Sequence, residues 1–197
     1  MPRRSIVSAP GEMYHVVNRG VLKSTLFYDD FQYWMFMSLL ERYAPTFHVT
    51  IVAVCLMSNH FHLLIRVEEG GDLPKFMACV CSTYSRRLNR HLRRSGTIYQ
   101  GRYHIGHVRT DSYLKAALRY IHLNPVKAGL VAHPAQYPYS DYREVLQQRS
   151  VISSEHTFVR SVFGDARAYE AFVTTDMLKS TISDKQLESD LTEAGLL

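Results

Sequence analysis

Hydrophobic positions along the chain switch between a period of two and a helical period, and the switches mark out seven elements in the first 130 residues. Residues 13–19 (MYHVVNR) read as a strand closed by Gly20. Asp29 and Asp30 supply a helix start for FQYWMFMSLLERY, and Pro45 stops it soon after. Residues 47–56 (FHVTIVAVCL) are rich in β-branched side chains, and the turn Met57-Ser58-Asn59 joins them to HFHLLIRV at 60–67, which predicts a hairpin. Asp72 and Pro74 open a second helix from Lys75 to about Arg93, with Phe76, Met77, Val80, Tyr84 and Leu88 at helical spacing and Gly96 beyond its end. A short strand is predicted around 103–109. A third helix is predicted from Asp111 or Ser112 to about Leu123, where Pro125 is expected to end it.

The order β-α-β-β-α-β-α predicts an α+β fold, a ferredoxin-like or RRM-like antiparallel sheet with helices on one face. A chain of 197 residues holds one well-buried domain plus an appendage. The stretch HPAQYPYSDY at 133–142 sets a soft boundary, with residues 1–142 as the main domain and 143–197 as an acidic, helical extension. With 46% hydrophobic residues the composition excludes a disordered chain. No run approaches the roughly 20 apolar residues of a membrane span, and the first residues lack a secretory signal, so a cytoplasmic protein without a membrane partner is expected. Cys55, Cys79 and Cys81 are odd in number, sit in apolar surroundings and form no paired CxxC units. They read as buried thiols, not as a zinc site or a disulfide framework.

Charge adds a partner class. Residues 1–140 carry 17 Lys/Arg against 8 Asp/Glu, whereas 141–197 carry 6 against 10. Between Lys75 and Thr110 there are seven arginines and one lysine with no acid at all. A solvated helix face normally mixes both signs, so this segment points to a polyanion and hence to nucleic acid.

Two residue pairs carry candidate chemistry. Along 60–67 the alternation sends Phe61, Leu63, Ile65 and Val67 to one face and His60, His62, Leu64 and Arg66 to the other. The apolar set reads as the helix-covered core, which leaves two histidines side by side on the opposite, more open face, close enough to share a metal ion. In the third helix Leu114, Leu118 and Ile121 form the apolar stripe, and Tyr120 and Asn124, one turn apart, stack together on an adjoining face. Each feature also has an ordinary structural reading: a chance His-x-His, a surface aromatic, an Asn at a helix end. His122 projects about 200° around the helix from Tyr120 and faces elsewhere. His104-Ile105-Gly106-His107 spells a nucleotide-binding signature of certain aminoacyl-tRNA synthetases, yet the βαβ units and partner lysine loop that signature needs are missing.

The stretches YHVVNRG (14–20), LMSNHFHLLI (56–65), GTIYQGRY (96–103) and RYIHLNPVKAGLV (119–131), in this order, resemble the REP-associated tyrosine transposases of the single-tyrosine HUH family. The resemblance covers roughly residues 10–142. It departs at Ser58, where the family commonly has Pro in a turn, and beyond about Arg143, where no functional motif is recognisable. It implies a metal-dependent endonuclease and strand transferase acting on hairpin DNA, with Tyr120 as nucleophile and a covalent 5′-phosphotyrosine intermediate. Tyr84 on the basic helix is the rival nucleophile, but it continues the apolar spacing and has no Asn partner at +4. The metal ligands implied are His60, His62 and Asn124, a set that suits Mg²⁺ or Mn²⁺ better than a closed zinc site. Arg86, Arg87, Arg90, Arg93, Arg94, Arg102 and Arg109 are the expected phosphate contacts, and Tyr99 and Tyr103 the expected base-stacking rings. A DNA-hairpin-binding protein or repressor that does not cut is the main alternative. An RNA-binding RRM is weaker, because the exposed strand bears histidines where stacking aromatics belong. Monomer and homodimer both stay open. The acidic extension is expected to fold back over the basic groove and compete with DNA.

Overall fold

A computed structural model describes residues 9–147 and 155–175, together with 187, 189, 191 and 192. The elements are β1 (Met13–Arg19), α1 (Asp30–Tyr43), β2 (Val49–Met57), β3 (His60–Val67), α2 (Leu73–His91), β4 (His104–Val108) and α3 (Asp111–Lys127), then the short helices α4 (Tyr142–Gln147), α5 (His156–Phe163) and α6 (Ala166–Thr174). The strands form one antiparallel sheet in the order β2-β3-β1-β4, the α+β arrangement the pattern predicts.

The helix starts follow from local chemistry. Asp29 caps α1 in a reciprocal box, its carboxylate accepting from the Gln32 N–H while the Gln32 amide oxygen accepts from the Asp29 N–H. Asp72 caps α2, with Pro74 inside its first turn, and the Thr110 hydroxyl accepts from Tyr113 N–H at the start of α3.

The sheet is buried on both faces. On one, α1 and α2 close over Val16, Phe61, Leu63 and Ile65 through Phe36, Leu40, Phe76, Val80 and Tyr84. On the other, Leu114, Leu118 and Ile121 of α3 pack on Val52, Cys55 and Leu64. The expected layering on one face therefore holds for α1 and α2, while α3 crosses the opposite face. A bulge between Ile51 and Ala53 resets the alternation of β2, turning Val52 and Ala53 toward the α3 side and Val54 and Leu56 back to the α1/α2 side.

Pro125 does not end α3, which runs to Lys127. The missing proline N–H deprives the Ile121 carbonyl of its helical donor, but the next turn closes regardless. Ala128 N–H reaches the Asn124 carbonyl at 2.9 Å and Leu130 N–H the Pro125 carbonyl at 3.0 Å. Gly129, at φ +69°, supplies the left-handed step that terminates the helix.

The extension shares the core of the sheet. Val145, Val159, Tyr169 and Val173 lie in the same cluster as Cys55 and Leu118. Asp141 accepts from Val54 N–H and from His122 Nε2, both at 2.8 Å, and His122 Nδ1 meets the Tyr169 hydroxyl, so β2, α3 and α6 are tied by one buried chain. Tyr142 thus marks a change of charge and not a gap in packing. No helix among the described residues is long and apolar enough to cross a membrane.

Candidate active site

The site lies where the end of β1 and the start of β3 meet the last turns of α3. In the strand register Val17 stands opposite His62 and Arg19 opposite His60, so β1 sends His15, Val17 and Arg19 to the same face as the two histidines. Helix α3 lays Tyr120 and Asn124 over that face. The structure therefore brings together all four residues expected to form a site.

Asn124 sits between the two imidazoles. Its amide nitrogen donates to His62 Nε2 at 3.2 Å, and its amide oxygen faces His60 Nε2 at 3.3 Å. The other ring nitrogens are engaged from behind. His60 Nδ1 lies 2.7 Å from Asn59 Oδ1, and His62 Nδ1 lies 3.1 Å from His15 Nε2. Asn59 Oδ1 and Asn124 Oδ1 both only accept, so a neutral His60, with a single ring proton, satisfies one of them at a time. When Nδ1 holds the proton for Asn59, the Nε2 lone pair faces the Asn124 oxygen and the two repel unless a cation lies between them. Two imidazole nitrogens that both lie within 3.3 Å of the Asn124 amide are a donor set that would suit a divalent cation, with the amide oxygen as its hard ligand. Among the described residues no three His, Cys, Asp or Glu side chains make a metal cluster, and three ligands arise only by counting the amide of Asn124.

Electrostatics keep these rings neutral, the form that ligates metal. Burial, followed by the Arg19 charge, pushes His60 down to about 4, against the upward pull of its hydrogen bond to the Asn124 amide oxygen. Burial also takes His62 well below its ordinary value, aided by His60, His15 and Arg19. His15 falls to about 3 through burial and the neighbouring His104.

Tyr120 is beside this cluster, its ring edge-on to His62 at 5.3 Å between centroids. The Lys127 ammonium stands 4.9 Å from the phenol ring centroid, a placement that favours negative charge on the ring. The face expected to be open is covered. His62 is 1% exposed and Tyr120 4%, the latter packed against Val17, Ala117, Leu187 and Leu191. The extension therefore reaches the phenol; of the acids expected to fold back over the basic groove, Asp176, Asp184, Glu188, Asp190 and Glu193 lie outside the described residues. Among those described, Glu155 clamps Arg66 of β3, with two contacts at 2.6 Å.

The rival nucleophile Tyr84 is fully buried and donates to the Leu26 carbonyl at 2.6 Å, a structural role. His122 faces away from Tyr120, as its helical angle predicts, into the chain with Asp141. All three cysteines are free, Cys55 buried and the other two half-buried.

Arg86, Arg87, Arg90, Arg93 and Arg94 are exposed along the end of α2, and Arg102 is exposed in the loop that follows. That loop is tied to the site, since Gln100 N–H donates to the Arg19 carbonyl at 2.9 Å. Arg109 is not with them. Val17 pairs with His104 and Met13 with Val108, so Arg109 follows β4 at the far end of the sheet. Tyr99 is a correction: at 9% exposure, bridged to Gly20 and packed in the α1/α2 core, it has no face free for a base. Tyr103 is half-buried against the same core.

Three neighbours escape sequence reasoning: His15, Arg19 and Lys127. Alternation along β1 already places His15 and Arg19 on one row, but only the pairing of β1 with β3 shows which row it is.

The model of the family described as Transposase IS200 like matches residues 9–124, from the start of β1 through both histidines and Tyr120 to Asn124. The chain belongs to this IS200-like transposase family. A relative from Haemophilus influenzae, named as a candidate REP-associated tyrosine transposase, is 30% identical over 117 residues, covering 54% of this chain and 66% of that protein. The chain thus spans just under two thirds of that relative's length. Among solved structures, a REP-associated tyrosine transposase bound to a REP hairpin superposes with a TM-score of 0.63 at 19% identity, over 78% of this transposase and 90% of that chain. At that identity the likeness establishes the fold.

Proposed function

We propose that this transposase is a metal-dependent single-strand DNA endonuclease and strand transferase that acts on hairpin DNA, with Tyr120 as nucleophile and His60, His62 and Asn124 holding Mg²⁺ or Mn²⁺. The observation that carries the reading is the convergence of His60 Nε2, His62 Nε2 and the Asn124 amide beside the Tyr120 ring. Hairpin DNA as substrate follows from the relatives' names together with the exposed arginines of α2.

When bound, the cation supplies Lewis-acid activation of the scissile phosphate. The remaining work belongs to the chain. Asn59 and His15 hold the two imidazoles with Nε2 facing the ligand point. Arg19, opposite His60, brings a fixed positive charge to the same rim. The Tyr120 oxygen attacks phosphorus, and its proton passes to water. An O–P bond to the phenol forms as the bond to the 3′ oxygen breaks, and that oxygen takes a proton from water to leave as a 3′-OH. One phosphodiester is exchanged for another, so a 3′-OH can reverse the step without ATP. Lys127 favours the negative charge on the departing phenol in that reversal.

The test is a denaturing gel of wild-type protein with Mn²⁺ and a hairpin oligonucleotide bearing single-stranded flanks. A covalent protein–DNA adduct is expected, lost with EDTA and with Tyr120→Phe while hairpin binding persists. An adduct from Tyr120→Phe overturns the nucleophile. A second reading, hairpin binding without cleavage, is favoured by the coverage of Tyr120. It prevails if wild type binds the hairpin and never forms the adduct.

A further inference from the structure

With Tyr99 buried, the surface offers other rings for unpaired bases. Tyr28, Phe31 and Trp34 are the large aromatics most exposed among the described residues, at 48%, 59% and 40%. Phe31 and Trp34 stand one turn apart at the start of α1 and Tyr28 just before it, where a single exposed ring would be unremarkable but three neighbours in the chain are not. Phe31 meets His91 of α2 at 5.8 Å between centroids, and Trp34 meets Tyr139 edge-on at 6.1 Å. The result is a strip of rings from α2 across α1 to Tyr139.

Helical spacing aligns this strip with positive charge. Thr83, Arg87 and His91 follow one another at one-turn intervals along α2. Thr83 touches α1 through the Tyr43 hydroxyl and His91 touches it through Phe31, so Arg87 lies on the α1 side of its helix between them. Arg90, Arg93 and Arg94 are exposed at the same helix end. Asp29 and Asp30, also at the start of α1, are engaged with Gln32 and with the Tyr139 hydroxyl. Phosphates are therefore drawn to the α2 side of the rings and repelled from the other.

The strip is also at the correct end of the molecule. Leu26 and Phe27, just before Tyr28, donate their N–H groups to the Ser58 carbonyl at 2.7 and 3.0 Å, and Ser58 is two residues from His60. The start of α1 and the end of α2 thus lie at the same end of the sheet as His60 and His62, on its other face and reached round the Ser58 turn.

Resting on the nuclease reading, we infer that Tyr28, Phe31 and Trp34 form a stacking platform for the unpaired bases of the substrate's single-stranded flank, with the α2 arginines holding its phosphates. Alternating aromatic faces and arginines are what a single strand needs, and the strip takes any base because every base has a π-face.

Trp34 is the only tryptophan in the chain, so its fluorescence reads the platform directly. Titration of Tyr120→Phe protein with a hairpin carrying an oligo-dT flank should quench Trp34, and the same hairpin without flanks should not. Phe31→Ala should weaken flank-dependent affinity by roughly 5- to 100-fold, and Trp34→Ala likewise by anisotropy of a labelled oligonucleotide, with unchanged melting temperatures. Equal quenching by the blunt hairpin, or unaltered affinity in both variants, overturns the platform. So does quenching that grows with protein concentration in the absence of DNA, which marks the strip as a contact between two copies. Failure of the two readings is distinguishable: quenching without any wild-type adduct retires the nuclease alone, and an adduct without quenching retires the platform alone.

Discussion

His62 Nδ1 and His15 Nε2 face each other at 3.1 Å with both rings buried, so the proposed metal ligand His62 is held by a second histidine where a carboxylate or carbonyl often serves. His15 accepts the Nδ1 proton and keeps the His62 Nε2 lone pair toward Asn124. Replacing it with Leu should lower Mn²⁺ affinity about 10- to 100-fold, and His15→Gln, which retains an acceptor, should recover part of the loss. Calorimetric Mn²⁺ titration checks this, and equal affinities for wild type and His15→Leu would remove His15 from the site.

The same rings make the metal-free protein acid-sensitive. Folding holds His60 at about 4 and His15 at about 3, against about 6.5 in the unfolded chain. The unfolded state therefore binds more protons between pH 6.5 and those values. Stability is fully present above pH 6.5 and declines as pH falls through that window, by up to about 1.4 kcal/mol per pH unit for each buried ring. Urea midpoints in EDTA at pH 7, 5.5 and 4.5 should fall progressively, and less steeply in His15→Gln.

Asp141 links the extension to the sheet. Partners on His122, His156 and the Val54 N–H hold its carboxyl well below the usual range despite the opposing effect of burial. Asp141→Ala leaves His122 Nε2 and the Val54 amide without acceptors and should cost about 3 kcal/mol. Chemical denaturation measures it.

Leu187 and Leu191 cover Tyr120. A double substitution, Leu187→Asp with Leu191→Asp, should speed adduct formation several-fold in single-turnover assays while hairpin affinity stays near wild type. An unchanged rate would show that this cover does not limit access.

The arginines of α2 should be read by salt. Each of Arg87, Arg90 and Arg94 replaced by Ala should reduce the slope of log affinity against log salt by about 0.7 to 0.9 if it contacts a phosphate. Arg109→Ala, at the other end of the sheet, should leave the slope unchanged.

The legibility of this fold differs from residue to residue for physical reasons. Alternation in HFHLLIRV already separates Phe61 and Leu63 from His60 and His62, because one face of β3 is wholly apolar. One-turn spacing likewise unites Tyr120 with Asn124. Coverage is harder to read, since it depends on tertiary contacts: Leu187 lies far along the chain from Tyr120, and nothing in either segment announces the other. Tyr99 looks like a surface ring in a basic loop, yet its pairing with Gly20 turns it inward. Pro125 reads as a helix end because local propensity says so, whereas Gly129, four residues on, is what stops the backbone.

The loop after β1 returns the discussion to the rim. Gly20 has no room for a side chain, since a Cβ there would lie 2.0 Å from the Ser24 carbonyl oxygen, and its N–H is bound to Asn59 next to His60. Leu22, 92% exposed and left-handed at φ 53°, is carried on that anchored loop. The foundation of the loop is thus locked to the β2–β3 hairpin while its tip is unconstrained by packing. In evolutionary terms, descendants of this scaffold can vary the tip freely without disturbing the histidines beneath it.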